Sequence, residues 1–346
     1  MKYSKKQITK AGNTLISSDA DTLERGMASA LVDKWRVLHI VPLQKLNEQL
    51  EALFTSEGLN YSFCSQRIKR MTSILDKLRN NQENQMGLGN LDDIGGVRFV
   101  FHNIEDVQRA DAILQNFAPQ NFTLKRVKNY IERVKTSGYR SIHYIYEYQT
   151  DEADYDGLKV ELQIRTKLQH SWAMAVETAS MISQTSLKAN IDDGSVWRQF
   201  FVLISAIFSI KENCPKIAAY SEATLTELCN EYFKYENRHK LLTQLSALSV
   251  VTENKKGSAN DSFYLLMLDI AERKVRIATY DEHSADEAAG AFTATERSIA
   301  NNDNEVALLV SVNKMNEIRE AYPSYFLDVQ QFYKVVEEFY KNCNPQ

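Results

Sequence analysis

Glu161, Gln163 and Arg165 alternate with Val160, Leu162 and Ile164 in the run Lys159-Val160-Glu161-Leu162-Gln163-Ile164-Arg165-Thr166. A period of two is that of a half-buried strand, with the apolar side chains on the core face. The other face then carries a carboxylate, an amide and a guanidinium in one row. Such a row suits a phosphate and metal site, because Arg grips phosphate oxygens and Glu holds a divalent cation or accepts a proton. Taken alone, it reads more simply as a solvated strand face with a cross-strand ion pair, so the rest of the chain has to decide.

Three further segments bear on that choice. The spacing Arg67-x-Lys69-x-x-x-Ser73-x-x-x-Lys77 falls in a helix expected from about Ser62 to Asn80. There Lys69, Ser73 and Lys77 stack along one face, and with Arg67 just upstream they form a cradle for a polyphosphate or simply a solvated basic face. In Asp93-Ile94-Gly95-Gly96-Val97-Arg98, a carboxylate precedes two glycines that allow close backbone approach, with Arg98 pointing away from the Val97/Phe99 core face. The plain alternative is a turn entering a strand. Paired across the sheet, Asp93 and Glu161 would hold one magnesium ion among phosphate-binding cations, an arrangement for phosphoryl transfer. In Lys135-Thr136-Ser137-Gly138-Tyr139-Arg140-Ser141-Ile142-His143, Gly138 permits a tight turn and Tyr139 offers a ring to stack on a base, or to pack within the loop. Arg140 and His143 are candidate phosphate contacts. No Gly-x-x-x-x-Gly-Lys-Ser/Thr loop occurs, which excludes a P-loop NTPase.

These four segments, in this order, resemble the synthetase domain of the RelA/SpoT family, and Gln169-His170-Ser171-Trp172-Ala173 and Glu177 fit the same pattern. The resemblance covers roughly residues 60–185. It implies a nucleotidyltransferase-like mixed sheet that moves pyrophosphate from ATP to a nucleotide 3′-hydroxyl, with AMP leaving. Carried over position by position, it gives Arg67, Lys69, Ser73, Lys77 and Arg98 to ATP and its phosphates. Asp93 and Glu161 become the catalytic pair and the magnesium ligands, Glu161 also activating the hydroxyl. Tyr139 would stack on the acceptor base, while Lys135, Arg140, His143, Gln163 and Arg165 would line the acceptor or phosphate path. Departures fall on the acceptor side: Lys128-Asn129-Tyr130 lacks the family's aspartate, Val134 replaces a proline, and Ser137 replaces an asparagine. No His-Asp pair occurs, so the metal-dependent hydrolase domain of long family members is not expected.

The elements that must position these residues are legible in outline. Helix is expected over Leu23–Phe54 with a break near Pro42, and a loop over Asn81–Asn90. Strands are expected at Gly96–His102, Phe122–Tyr130, Ser141–Tyr148 and Leu158–Thr166, with helices at Glu105–Phe117 and Leu168–Ser183. The class is therefore α/β (α+β): a mixed sheet flanked by helices, not an all-parallel one. Residues 1–60 read as N-terminal helices, 61–189 as the synthetase-like unit and 190–251 as a helical segment. After a linker near residues 252–260, residues 260–346 read as a small C-terminal α/β domain with no ligand constellation of its own.

Composition sets wider bounds. The 346 residues include 41 basic and 45 acidic ones, a net charge of −4 that speaks against a surface devoted to nucleic acid. Cys64, Cys214, Cys229 and Cys343 form no C-x-x-C pair, so zinc or thiol redox chemistry is not expected and a reducing, cytoplasmic setting is. No signal peptide or membrane span is expected, the apolar run Phe200–Ile210 being too short. The leading reading is an enzyme that makes (p)ppGpp from ATP and GDP or GTP. The toxic subgroup of the family, which pyrophosphorylates tRNA 3′ ends or makes adenosine alarmones, is the second. The cluster Lys125, Arg126, Lys128, Arg133 and Lys135 is compatible with either. A dead nucleotide-sensing module is the third, disfavoured because Asp93 and Glu161 are both present. Homo-oligomerisation and restraint by the C-terminal domain are open expectations.

Overall fold

The computed structural model describes residues 3–80, 87–183, 196–246, 251–254, 261–300, 302, 304–312, 317–326 and 328–343. Three helices lead: α1 (Lys5–Ile16), α2 (Thr22–Leu38) and α3 (Ile40–Ser56). Next come β1 (Phe63–Ile68), α4 (Met71–Asn80), β2 (Gly95–Phe101), α5 (Ile104–Gln115), β3 (Phe122–Asn129), β4 (Ile142–Tyr148), β5 (Lys159–Thr166) and α6 (Lys167–Ser183). The helices α7 (Val196–Lys211), α8 (Leu225–His239) and α9 (Leu241–Ser246) follow. The remainder is β6 (Val251–Asn254), β7 (Asp261–Asp269), β8 (Lys274–Asp281), α10 (Ala285–Ser298), β9 (Glu305–Val312), α11 (Glu317–Ala321) and α12 (Gln330–Cys343).

The nine strands of the described residues join one mixed sheet in the order β3-β4-β5-β2-β1-β9-β7-β8-β6. Strands β2 and β5 run parallel, as do β6 and β8, and the other neighbours are antiparallel. Val160, Leu162 and Ile164 of β5 are fully buried beside Val97 and Phe99 of β2, under Leu43, Leu46 and Leu50 of α3. That is the core face the alternation calls for. The opposite face is not solvated: Glu161 is 8% and Arg165 1% exposed. Burying a row of ionisable groups is costly unless each finds partners, which marks this face as more than a surface.

The expected helix over Ser62–Asn80 is corrected to a strand followed by a helix. Phe63–Ile68 inserts between β2 and β9 and uses its backbone groups on both edges, so tertiary pairing overrides the helical spacing. Arg67 therefore lies on β1 and Lys69 in the connection, leaving only Ser73 and Lys77 on α4. The helix break expected near Pro42 falls at His39, and Pro42 sits in the first turn of α3, where its missing N–H goes unneeded. Within residues 1–60, read as N-terminal helices, α1 precedes the expected Leu23–Phe54 helix, and a Ser4/Gln7 capping box starts it. Of the expected linker, Val251–Asn254 is strand β6 against β8, and residues 255–260 lie outside the described ones. Within the loop expected over Asn81–Asn90, residues 81–86 are likewise outside, and Leu88–Asn90 forms one 3-10 turn.

The strands after residue 260 extend the sheet that carries β2 and β5, through β9 against β1 (Ser65 opposite Val312, Arg67 opposite Val310). Helix α10 is fastened on the other side by a buried ion network. Arg36 Nη1 bonds Asp33 (3.0 Å) and Glu296 (2.8 Å), and Arg36 Nε and Nη2 donate to the Lys69 carbonyl (3.0 and 2.8 Å). Glu296 also accepts from Met71 N at 2.9 Å, the first amide of α4, where a carboxylate suits the helix dipole. No helix among the described residues is long and apolar enough to cross a membrane.

Candidate active site

A cleft of about 400 Å³ opens on the face of β4 and β5 opposite the core. Lys77, Asp93, Lys135, Tyr139, His143, Glu161 and Gln163 all line it. The parallel register sets Glu161 beside Gly96, at the glycine pair that follows Asp93. On the antiparallel side, His143 sits opposite Gln163. Arg198 and Phe201, which also line the cleft, were not singled out from sequence, while Trp172 was named only within the Gln169–Ala173 run and, like Asp92, given no role. Asp92 was visible as the neighbour of Asp93; it pairs with Lys159 at 2.8 Å and with Arg126 at 3.5 Å. Trp172 and the α7 residues carried no spacing signal.

Glu161 and His143 form the centre of the cleft. His143 Nδ1 lies 2.8 Å from Glu161 Oε1, and Gln163 Nε2 donates to Glu161 Oε2 at 2.7 Å. On the far side His143 Nε2 meets the Tyr139 hydroxyl at 2.9 Å. Burial by itself would neutralise each group, but their mutual charges win. Burial pushes the imidazole down, yet Tyr139 and Glu161 carry it up to about 9. Burial pushes the phenol up, yet His143 and Arg165 bring it down to about 7. Against the same burial, His143 keeps the Glu161 carboxyl below its usual range. At neutral pH the cleft thus holds an ionised carboxylate against an imidazolium. In His143→Gln the Tyr139 ionisation is expected to climb back toward the ordinary value of about 10. Tyrosinate absorbance against pH, corrected with Tyr139→Phe, reads this; an unmoved midpoint would refute the assignment of the low value to His143.

Asp93 is the second carboxylate. Its Oδ2 accepts from Lys69 (3.0 Å) and Lys77 (2.9 Å), and these ammoniums override burial to hold it well below the usual carboxylate range. Lys69 and Lys77, expected to stack on one helix face, meet instead through Asp93. Asp93 Oδ1 is buried with no hydrogen-bond partner among the described residues.

Arg67 and Arg98 flank a separate pocket with Asp93, Glu161 and Gln163, and its volume is only about 40 Å³. Pockets for small ligands usually measure roughly 300–1,000 Å³. Tyr322, just after α11, forms part of the wall of this small pocket. Arg98 Nη1 donates to the Ala321 carbonyl at 3.4 Å and its guanidinium carbon lies 5.9 Å from the Tyr322 ring centroid. The Tyr322 hydroxyl donates to the Gln66 carbonyl at 2.9 Å, beside Arg67. Arg70 lies 5.9 Å from the Tyr325 ring, and His170 Nε2 is 3.0 Å from the Glu320 carbonyl. The C-terminal segment, read from sequence as free of any ligand constellation, therefore bears on the site directly.

Four expected residues line neither space: Lys69, which reaches the site only through its bond to Asp93, and Ser73, Arg165 and Arg140. Ser73 is half-buried on α4. Arg165 is buried beneath the cleft, its Nη2 2.6 Å from His170 Nδ1. Arg140 is 3% exposed, bonds the Ile131 carbonyl at 3.4 Å, and feels the charge of Glu212.

Residues 66–184 match the family described as a region found in RelA/SpoT proteins. The match covers about a third of this chain. The GTP pyrophosphokinase YjbM of Bacillus subtilis (strain 168) is 35% identical over 113 residues, 32% of this chain and 52% of that protein. The probable chloroplastic GTP diphosphokinase RSH3 of Oryza sativa subsp. japonica is 32% identical over 123 residues, 36% of this chain and 16% of that protein. The match thus spans about half of the bacterial relative and a smaller part of the plant one. Among solved structures, small alarmone synthetase 1 from Bacillus subtilis bound to its product pppGpp shares 24% identity at a TM-score of 0.41, over 50% of this chain and 88% of that one. The matched stretch holds Asp93, Glu161 and Tyr139; α7 and Tyr322 lie beyond it.

Proposed function

We propose that the chain is an ATP-dependent 3′-pyrophosphokinase of the (p)ppGpp synthetase kind, in a conformation whose donor side is covered by its own C-terminal segment. The observation that carries the reading is the meeting of Asp93 and Glu161 with Lys77, Tyr139 and His143 in one cleft, all five within the matched stretch. In the reaction, the acceptor 3′-oxygen bonds to the β-phosphorus of ATP, the bond from that phosphorus to the α-phosphate oxygen breaks, and AMP departs. Ionised Glu161 is placed to take the hydroxyl proton, while Lys69, Lys77 and Arg67 offset charge around the β-phosphate. Tyr139 would stack on the acceptor base, with Lys135, 5.2 Å from its ring, on the same side.

Magnesium fits the residues present. Orphaned Asp93 Oδ1 and Glu161 would hold it, a donor set of one or two carboxylates completed by substrate phosphates being the ordinary choice of this ion. Among the described residues there is no cluster of three or more His, Cys, Asp or Glu for a metal held by protein alone. When bound, the ion neutralises phosphate charge during transfer.

Guanosine diphosphate or triphosphate is the acceptor we favour; the tRNA 3′ end or an adenosine nucleotide is the alternative, to which the basic edge strand β3 with Arg126 and Lys128 at the cleft lends support. The test is transfer from γ-labelled ATP with magnesium to GDP, GTP, adenosine nucleotides and bulk tRNA offered separately. Label on guanosine nucleotides supports alarmone synthesis, and label only on tRNA or adenosine nucleotides supports the alternative. In the same assay Tyr139→Ala is expected to raise KM for the acceptor about tenfold or more, within the range of one lost base-stacking contact, with little change for ATP. Equal loss for both substrates would remove Tyr139 from the acceptor side.

Restraint by the C-terminal segment has its own support: Tyr322 lines the small pocket between Arg67 and Arg98 that we assign to the donor, and the Ala321 carbonyl accepts from Arg98.

A further inference from the structure

Helix α7 lies beyond the matched domain, yet it touches the acceptor loop at the residue that sets its turn. Gly138 has φ +86°, a left-handed conformation that favours glycine. Ser205 Oγ donates to the Gly138 carbonyl at 2.6 Å, and Ser205 is 2% exposed. The fit leaves no slack: a Cβ at residue 138 would stand 2.7 Å from Ser205 Cβ and 3.3 Å from Trp172 Cζ2. Trp172 in turn donates from Nε1 to the Phe201 carbonyl at 2.8 Å, tying α6 to α7. Arg198, Phe201 and Ser205 are spaced i, i+3, i+7 and so share one face of α7, and the first two line the cleft. Just past the end of α7, buried Glu212 accepts from Gln169 Nε2 at 2.8 Å and from the Thr166 hydroxyl, and it is the charge that faces Arg140. Of the two residues flanking Tyr139, Gly138 is thus held directly from α7, while Arg140 bonds the Ile131 carbonyl and feels Glu212 only through its charge.

We infer that α7 is a brace for the acceptor loop, and that Ser205 is a positioning residue that holds the Tyr139 ring in register with His143 and Glu161. The link runs from Ser205 to the Gly138 carbonyl, then through Tyr139 to His143 and Glu161. Each step is one hydrogen bond or one peptide unit. Without the Ser205 hydroxyl, the Gly138 carbonyl loses its buried donor, and the turn can relax away from α7. Acceptor recognition in this chain then depends on a helix outside the matched stretch, where ATP contacts on β1 and α4 do not. The brace rests on the acceptor-side reading of Tyr139 for its effect on catalysis, but not for its effect on the loop.

Hydrogen exchange and kinetics on the full chain separate the two. Ser205→Ala is expected to speed amide exchange in residues 135–141 about tenfold, the scale of one buried hydrogen bond lost, with α4 unchanged. Ser209→Ala is the control: its hydroxyl bonds the Ala206 carbonyl of its own helix at 2.7 Å and does not touch the loop. Ser205→Ala is further expected to raise KM for the acceptor about tenfold while KM for ATP stays put. Unchanged exchange over 135–141 in Ser205→Ala, or equal change in Ser209→Ala, would overturn the brace. A loosened loop with KM for both substrates altered alike would overturn the positioning role. A loosened loop in a chain that passes pyrophosphate to no acceptor would leave the brace standing and overturn the pyrophosphokinase reading.

Discussion

Glu161→Gln is expected to keep the fold and to lower pyrophosphate transfer by roughly 10²–10⁴-fold, the usual worth of a positioned general base. The amide can neither take the acceptor's proton nor carry charge to a cation. It also leaves His143 without the carboxylate 2.8 Å from its Nδ1, so part of the imidazole's raised proton affinity should go as well. ATP binding is expected to change little, since the donor cations lie on β1, β2, α4 and the connection between β1 and α4. Circular dichroism establishes that the variant folds, and initial rates with labelled ATP read the effect. Transfer at the wild-type rate would remove Glu161 from the mechanism.

Opening the donor side is the second large effect. Tyr322 is 2% exposed, lines the small pocket beside Arg98, and donates to the backbone of β1 at Gln66. Tyr322→Ala removes the ring while the β9–β1 pairing stays. If the turn must leave before ATP enters, any free energy it contributes to the closed state is lost from apparent ATP affinity. A gain of about tenfold or more in ATP affinity and in transfer rate is expected, tenfold being about 1.4 kcal/mol. Tyr322→Phe keeps the ring and should gain far less. Titration calorimetry with ATP on the three proteins decides; equal affinities would mean that the turn does not compete with the donor.

What was legible in the sequence follows from how local each signal is. The alternation in Val160–Arg165 placed a strand and its core face correctly, because burial on one face leaves a period of two. It could not show that the Glu161 face is buried as well, since Tyr322 and the α7 residues Arg198 and Phe201, which line the pockets on that face, come from far along the chain. The basic spacing from Arg67 to Lys77 suggested a helix, yet Lys69 and Lys77 meet through Asp93 across a strand-to-helix connection. That is a tertiary fact with no local period. Arg140 was assigned with its loop neighbours, but side chains alternate there, and it turns toward Glu212 while Tyr139 and His143 face the cleft. The C-terminal strands looked like an independent core because their apolar pattern is complete, and only pairing of β9 with β1 reveals the shared sheet. Tyr322 carried no chemistry by type or spacing; its meaning comes from the arginines it covers.

The most direct test of the central claim is one labelled-ATP transfer experiment on the wild-type chain, Tyr322→Ala, and Tyr322→Ala combined with Glu161→Gln. Each is run with magnesium and with guanosine nucleotides, adenosine nucleotides and bulk tRNA as separate acceptors. The expected result is transfer to at least one acceptor, faster with Tyr322→Ala than with the wild-type chain, and abolished when Glu161 is also replaced. Transfer to none of the acceptors by any of the three, or transfer that persists without Glu161, would contradict it.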